Sequence, residues 1–315
     1  MKIVVLDSAT LGADIDLSPL AAHGELTVYQ STAPDEVAAR LADADVAVLN
    51  KIKINKTTLP CPVALKLICV TATGFDNIDL GFCRERGIAV SNVVGYSTQS
   101  VAQVTLGMAL SLFLHLPAYR EQVAGGAYTE GGVANSLVPV YHELAGKTWG
   151  VVGLGHIGRR VAELAHAFGC RVIAFKRTPD PDFECCSLEQ LCRESDIISV
   201  HLPLSPSTRG ILSAREISLM KRDAILINVA RGAVVDEAAL ASAVKEKRIG
   251  GIGIDVYSAE PLAVDHPLYE LRHLDNVLLT PHMAWGAKEA RDRCITEIAQ
   301  NIAAFLAKEP RNRVD

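Results

Sequence analysis

Short, unbroken apolar runs recur along the whole chain and alternate with stretches in which apolar residues return every three or four positions. Runs of about four to eight apolar residues flanked by turn formers read as strands buried on both faces, and the longer periodic stretches read as helices with one buried face. On this pattern the first part of the chain holds strands at 3–6, 46–49, 67–70 and 88–90, with helices at 34–42 and 80–86. Pro34 sits well in a first helical turn. Gly95, Tyr96, Ser97 and Thr98 then interrupt the alternation before a long apolar helix that begins near Gln99. A second array follows, with strands at 151–152, 172–175, 197–200, 224–229, 251–255 and 277–279, and a last helix at 287–306. Alternation of this kind predicts an α/β protein with two doubly wound, mostly parallel sheets covered by helices. Six strands with five connections complete the second sheet. The last helix is too long for a tail and is expected to cross back onto the first domain.

The sharpest local signal is TWGVVGLGHIGRRVAELAHAFGCRVIAF, residues 148–175. An apolar strand runs into Gly153, Gly155 and Gly158, an amphipathic helix spans 156–168, Gly169 stops it, and a second strand covers 171–175. In a strand–turn–helix context of this length the glycines have separate tasks. Gly153 permits the tight turn, Gly155 lets the backbone approach a pyrophosphate, and Gly158 lets helix and strand pack closely. The phosphates would sit on the helix N-terminus, where N–H groups and the helix dipole favour negative charge. Residues 99–286 therefore read as a Rossmann dinucleotide-binding domain, and 1–98 with 287–315 as a discontinuous, flavodoxin-like substrate domain without a phosphate loop of its own. An acidic residue at the end of the second Rossmann strand would bind a ribose 2′-OH, and a basic one a 2′-phosphate. Here that strand ends Phe175-Lys176-Arg177-Thr178, with no carboxylate before Asp180. NADP is thus the preferred cofactor, with NAD accepted as well.

Composition narrows the picture further. At 315 residues the chain suits two α/β domains, and 49% hydrophobic residues with 5% aromatics fit parallel sheets rich in Ala, Val, Leu and Ile. A formal charge of −5 offers no basic surface for nucleic acid or membrane. The apolar run at the N-terminus is too short for a secretory signal, and the stretch 101–116 is broken by Gln103, Thr105, Ser111 and His115, so it reads as a buried helix. Eight cysteines show neither CxxC nor Cys/His ligand spacing, so no metal is expected, and all of them, Cys61 included, are read as reduced in a cytoplasmic protein.

Ligands of doubly wound sheets bind beyond the carboxyl ends of the strands. Arg231 follows the strand AILINVA, Glu260 lies in DVYSAEP after the next, and His282 follows NVLLT and Pro281. This set suits reduction of a 2-oxo acid. A guanidinium fork can hold the carboxylate and keto oxygen with paired charged hydrogen bonds. Hydride delivered to the carbonyl carbon creates an alkoxide, for which histidine is the natural proton donor near neutral pH. A carboxylate behind the imidazole would fix its orientation and favour its charged, loaded form.

Several segments together carry a family resemblance: GLGHIG at 153–158, HLPLSPSTRGIL from His201, NVARGAVVDEAAL from Asn228, GIDVYSAEPL from Gly253 and TPHMAW from Thr280. Over nearly its whole length the chain resembles the D-isomer-specific 2-hydroxyacid dehydrogenases, and most of all their hydroxypyruvate reductase and glycerate dehydrogenase branch. The resemblance implies Arg231 as the substrate-binding arginine, His282 as the acid/base and Glu260 as its partner. It places Asp255 at the nicotinamide end of the cofactor. His156 and Ile157 join the glycine loop in the cofactor site, followed by His201, Pro203 and Thr208, then Val229 and Ala230, and Thr105 from the long helix. In the first domain, TATGFDNID resembles the substrate loop, with the N–H groups of Thr73 and Gly74 offered to the substrate carboxylate. Lys51 would add charge beside the substrate, and Trp285 would line the pocket or pack in a core or dimer interface. The resemblance also implies a homodimer formed through the nucleotide domain. Two positions depart from the family pattern: Lys176 stands where an acidic residue is usual, and Gln103 replaces a glutamate of the long helix. Hydroxypyruvate or glyoxylate is the first-choice substrate, and D-lactate or phosphoglycerate dehydrogenases and a non-catalytic NAD(H)-sensing corepressor are the alternatives.

Overall fold

A computed structural model of the chain describes residues 1–60 and 64–315; Cys61 lies outside the described residues. The chain divides into two compact units, one formed by Met1–Ser97 with Trp285–Asp315 and the other by Thr98–Ala284. The smaller unit is built on a parallel five-stranded sheet in the order β2-β1-β3-β4-β5. Its strands are β1 (Lys2–Val5), β2 (Glu25–Val28), β3 (Val46–Leu49), β4 (Leu67–Val70) and β5 (Ala89–Ser91). Every residue of β3 and β4 is buried, as the unbroken Val, Ile and Leu runs require.

Strand β2 has no counterpart in the sequence pattern. It is an edge strand, half exposed, whose Glu-Leu-Thr-Val alternates polar and apolar residues over only four positions and so offers no apolar run. The helix expected at 34–42 is shorter, a single turn at Val37–Arg40. The Glu36 carboxylate folds back to accept the Ala33 N–H at 2.7 Å, a contact of the kind that caps a helix start. The long Lys288–Leu306 helix belongs to this unit. It buries Ala290, Cys294, Ile295, Ile298 and Ile302, a stripe at helical spacing, in one core with Ile3, Val5, Val46, Val48 and Leu67. The chain's last residues cover the β5 edge, with the Val314 N–H donating to the Val90 carbonyl at 3.0 Å.

The larger unit holds a parallel seven-stranded sheet in the order β12-β11-β10-β9-β6-β7-β8. The strands are β6 (Thr148–Val152), β7 (Arg171–Phe175), β8 (Glu184–Cys185), β9 (Ile197–Val200), β10 (Ile225–Asn228), β11 (Gly251–Ile254) and β12 (Val277–Leu279). The sequence pattern predicts six of these. The seventh, β8, is a two-residue edge strand beside Ile173 and Ala174, too short and too polar to register as an apolar run. The winding reverses between β6 and β9, and a ligand crevice of a doubly wound sheet opens at such a reversal. Trp149 is fully buried inside the sheet and donates from Nε1 to Ser199 Oγ at 2.9 Å. The Thr98–Phe113 helix is followed by a separate Leu116–Ala124 helix, and among the described residues no single helix is long and apolar enough to cross a membrane.

Two glycines on helices of this unit should respond in opposite directions. A Cβ on Gly158 would lie 2.0 Å from the Gly153 carbonyl oxygen, a backbone atom that cannot step aside. Gly158→Ala should therefore destabilise by at least about 1–3 kcal/mol. Gly107, in the interior of the Thr98–Phe113 helix, has nothing within 4 Å of its would-be Cβ. Gly107→Ala should stabilise by about 0.5–1 kcal/mol through reduced unfolded-state entropy. Denaturant melts of both variants check the pair, and equal effects would show that the close approach at Gly158 is not required.

Candidate active site

The glycine loop has the form its sequence requires. Gly153 turns the chain at φ +99°, which disfavours any residue with a Cβ. Gly155 is exposed as the N-cap of the His156–Ala167 helix, with open space where a side chain would project. His156 is exposed and Ile157 half-buried on the first helical turn. The space beside Gly155 and the N–H groups of that turn fit a dinucleotide pyrophosphate, so these residues could hold the cofactor.

His201 stands on the other side of the winding reversal, directly after β9. Its N–H donates to the Val152 carbonyl at 2.8 Å, and a Cβ on Gly153 would come within 3.0 Å of the His201 carbonyl carbon. The residue as a whole is half-buried, yet both ring nitrogens are shut off from solvent and have no partner among the described residues. Burial pushes its pKa down to about 3, so the ring is neutral at physiological pH.

The end of β7 is less cationic than its sequence reads. Lys176 Nζ lies 3.0 Å from Asp180 Oδ2, and Arg159 from the neighbouring helix reaches the same oxygen at 2.6 Å and Asp182 at 2.8 Å. Bonds from Lys176, the Asp182 N–H and Arg159 hold the Asp180 carboxyl below the usual range although its side chain is only 1% exposed. A carboxylate four residues beyond Lys176 is therefore folded back beside it. Arg177 and Thr178 are exposed.

Other residues expected at the cofactor make hydrogen bonds to the protein's own backbone and side chains. Thr208 donates to the Pro203 carbonyl at 2.6 Å and accepts the Ser205 N–H at 2.8 Å, closing the loop after β9. Thr105 is fully buried and its hydroxyl donates to the Val101 carbonyl at 2.8 Å, so it serves its own helix. Val229 is buried and Ala230 half-buried, with the Ala230 N–H bonded to Asn228 Oδ1 at 3.1 Å.

Asp255 is engaged in the same way. Its carboxylate, 1% exposed, accepts Thr280 Oγ1 at 2.6 Å and the N–H groups of Met283 and Ala284 at 2.8 and 2.9 Å. It ties down the loop that carries His282.

Within that loop His282 adopts a left-handed conformation, φ +54°, uncommon for a residue with a Cβ. Its Nδ1 lies 2.7 and 2.9 Å from the two carboxylate oxygens of Glu260. Glu260 in turn accepts the Tyr257 N–H at 3.1 Å. Arg231 donates to the Ala230 carbonyl at 2.8 Å, and its own carbonyl accepts Asn228 Nδ2 at 2.9 Å. A Cβ on the next residue, Gly232, would fall 2.0 Å from the Tyr257 carbonyl carbon. The chain behind Arg231 is thus pressed against the turn that leads to Glu260. Sequence reasoning missed a second pair behind this turn, in which His266 Nε2 and Glu237 Oε2 lie 3.1 Å apart. His266 Nδ1 accepts the Leu268 N–H at 3.2 Å, so Nε2 carries the hydrogen donated to Glu237.

In the smaller unit, Thr73 Oγ1 donates to the Val93 carbonyl at 2.8 Å and the Thr73 carbonyl accepts Asn92 Nδ2 at 2.7 Å. No hydrogen bond among the described residues engages the N–H of Thr73 or Gly74. The Lys51 N–H is held by Asp7 Oδ2 at 2.7 Å. Trp285 packs edge-on against Tyr96, with ring centres 6.3 Å apart, at the side of the small unit's core.

Residues 106–284 match the family described as D-isomer specific 2-hydroxyacid dehydrogenase, NAD binding domain. The chain is 36% identical to a glycerate dehydrogenase of Methylorubrum extorquens, over 100% of this chain and 99% of that one. It is 34% identical to a hydroxypyruvate reductase of Blautia hydrogenotrophica, over 100% of both. Among solved structures, an acyclic imino acid reductase in complex with NADPH and D-Arg superimposes with a TM-score of 0.88 at 31% identity, over 100% of both chains. The chain belongs to the D-isomer-specific 2-hydroxyacid dehydrogenases, a family of NAD-dependent oxidoreductases with Rossmann-type folds.

The sealed imidazole of His201 should be visible in the pH dependence of stability. Its native pKa, about 3, lies below the ordinary histidine value near 6.5, so the unfolded chain takes up a proton that the native chain refuses. Stability is unaffected above about pH 6.5 and falls as the pH drops through the window from about 6.5 to 3. Between pH 7 and 5 this one group should cost about 2 kcal/mol. Urea unfolding of His201→Gln should lack that share of the loss, and identical losses in both proteins would mean that the ring is protonated in the native state.

Proposed function

We propose that the protein reduces a small 2-oxo acid to its D-2-hydroxy acid, with hydroxypyruvate or glyoxylate as the leading substrates. The observation that carries this reading is the His282–Glu260 pair, held at 2.7 Å on the strand-end edge that also presents Arg231. A bound nicotinamide cofactor supplies the hydride in this reaction. Arg231 orients the acid with two parallel charged hydrogen bonds, which fixes the carbonyl carbon in one position. With Nδ1 turned to Glu260, proton transfer to the developing alkoxide falls to His282 Nε2. Glu260 stabilises the charged imidazolium before transfer and keeps the ring from rotating.

We also propose that NADPH is preferred about tenfold over NADH. The Lys176 ammonium has three donors, of which Asp180 uses one, and Arg177 adds a second cation at the same strand end. The NADPH complex of the imino acid reductase agrees with this choice. A homodimer through the nucleotide-binding unit completes the reading. Between residues 116 and 141, Val123, Val133, Leu137, Val138 and Val140 are each 62–71% exposed, an apolar concentration that monomers rarely leave in water. Tyr119 holds this arm to the preceding helix by donating to the Pro139 carbonyl at 2.6 Å. A cytoplasmic location agrees with the seven described cysteines, all of which are free thiols.

His282→Ala should lower kcat by about a hundred- to ten-thousand-fold while leaving cofactor affinity nearly intact. A variant that keeps more than about a third of the wild-type kcat would remove His282 from the chemistry. Steady-state rates with both reduced cofactors test the second part: Lys176→Asp should shift the preference toward NADH, and a wild-type kcat/KM with NADH equal to that with NADPH would refute it. For assembly, light scattering should give twice the chain mass for the wild type and a lower mass for Val138→Asp/Val140→Asp. A monomeric wild type would overturn the dimer.

A further inference from the structure

The His282–Glu260 pair leans on one peptide bond of the larger unit, the bond between Tyr257 and Ser258. A Cβ on Gly232, the residue after Arg231, would lie 2.0 Å from the Tyr257 carbonyl carbon and 2.1 Å from the Ser258 nitrogen. The segment behind Arg231 therefore packs directly against this peptide. Two carboxylates hold the N–H groups of the two residues. Glu260 Oε1 accepts that of Tyr257 at 3.1 Å, and Glu237 Oε1 accepts that of Ser258 at 3.0 Å. The Tyr257 hydroxyl donates to the Thr280 carbonyl at 3.0 Å, on the loop that carries His282. Displacement of this peptide would reach Arg231, Glu260 and His282 together.

Glu237 opens the Glu237–Lys245 helix but does not cap it; that task falls to Asp236, whose side chain accepts the Ala239 N–H at 3.0 Å. The Glu237 side chain is 10% exposed and turns instead to two donors, the Ser258 N–H and, at 3.1 Å, His266 Nε2. His266 is itself held firmly. Its Nδ1 accepts the Leu268 N–H at 3.2 Å, and its ring packs edge-on against Tyr257 with centres 6.1 Å apart. With Nδ1 accepting, the hydrogen on Nε2 points to Glu237 Oε2. One carboxylate oxygen thus faces a backbone donor and the other an imidazole donor. A glutamine could not serve both, because its NH2 group would turn a donor toward one of them. A sheltered carboxylate is costly unless donors fill it, and the helix start is already capped without this one. What it secures is the turn to Glu260.

We propose that Glu237, braced by His266, is a positioning residue for the reduction: it pins the Ser258 N–H and so fixes the direction in which Glu260 presents its carboxylate to His282. This rests on the reductase reading above, in which Glu260 stabilises the charged imidazolium. The Tyr257 N–H aims the Glu260 carboxylate, and Glu237 pins the chain one residue further on. Losing that pin lets the turn shift and Glu260 swing away from His282 Nδ1. A misplacement of about 1 Å can cost about a hundredfold in rate. The glycine loop takes no part, so cofactor binding is untouched.

The test is a double-mutant cycle on kcat, run with the better of NADPH and NADH and the fastest of hydroxypyruvate, glyoxylate and pyruvate. Glu237→Gln should lower kcat about tenfold or more in the wild type and by less than about twofold in Glu260→Gln, which has no carboxylate left to aim. A contact that only stabilises the fold would lower activity by the same factor in both backgrounds. Cofactor affinity, read by fluorescence titration, should match the wild type in every variant. His266→Asn keeps an acceptor for the Leu268 N–H and removes the donor to Glu237. It should repeat the pattern at about fivefold, and it decides the matter if Glu237→Gln fails to fold. Equal factors in both backgrounds, or an unaltered kcat in both variants, overturn the positioning role and leave the reductase reading standing. A wild type that reduces none of the three acids overturns that reading, and the positioning role with it.

Discussion

Asp255 carries its carboxylate where water does not reach, and the structure tolerates this because three donors from one short loop converge on it: the Thr280 hydroxyl and the Met283 and Ala284 N–H groups. A buried carboxylate with its lone pairs filled is rigid, since any rearrangement would strand a charge in the interior. The loop it grips carries His282 in a left-handed backbone conformation, which a freely moving segment would leave. From the other side Gly232 allows the chain behind Arg231 to touch the backbone at Tyr257, three residues before Glu260. Glu260 is bonded to Tyr257 and to His282. Arginine, glutamate and histidine are thus set by backbone and by one buried acid, with little left to flexible side chains. Precise placement of this sort is what the proposed acid–base role of His282 and Glu260 requires.

The reversals of winding in the two sheets show a common economy. At each lies a polar side chain whose nitrogen is sealed from solvent without a partner: His201 beside the glycine loop and Asn50 beyond β3. The buried Ser195 hydroxyl, at neither reversal, is likewise without a partner among the described residues, whereas the indole of Trp149 finds one in Ser199. Unpaired groups that appear at the two places where open sheets receive ligands are the expected signature of stability given up for binding.

Much of the fold can be read in the sequence because buried parallel strands need unbroken apolar runs. IISV, VLL, VAVL and LICV reappear as β9, β12, β3 and β4 with the same ends. The strands that escape the pattern, β2 and β8, are edges, where one side is wet and the apolar rule is relaxed. Among the site residues, the glycine loop is legible because the positive φ of Gly153 and the backbone contact at Gly158 leave no other residue type. The positions of Arg231, Glu260 and His282 are legible because each follows a strand. What the sequence could not show is direction. Asp255, Thr105 and Thr208 have the composition of ligand contacts, and only distances reveal that their polar atoms also bond the protein's own backbone.

The end of β7 makes the same point in electrostatic terms. Read as a string, Lys176-Arg177-Thr178 is a cationic strand end, and a phosphate is its natural partner. Folded, Asp180 returns to within 3.0 Å of Lys176 and also draws in Arg159 from the helix that follows the glycine loop. The local charge is therefore a property of two cations sharing one sheltered anion, with Asp182 balancing the second cation. Such a cluster fixes where the ammonium points more than it raises the net positive potential. Discrimination at this strand end then depends on how well a held lysine matches the ribose 2′ substituent, which is geometry that neighbouring letters in a sequence do not encode.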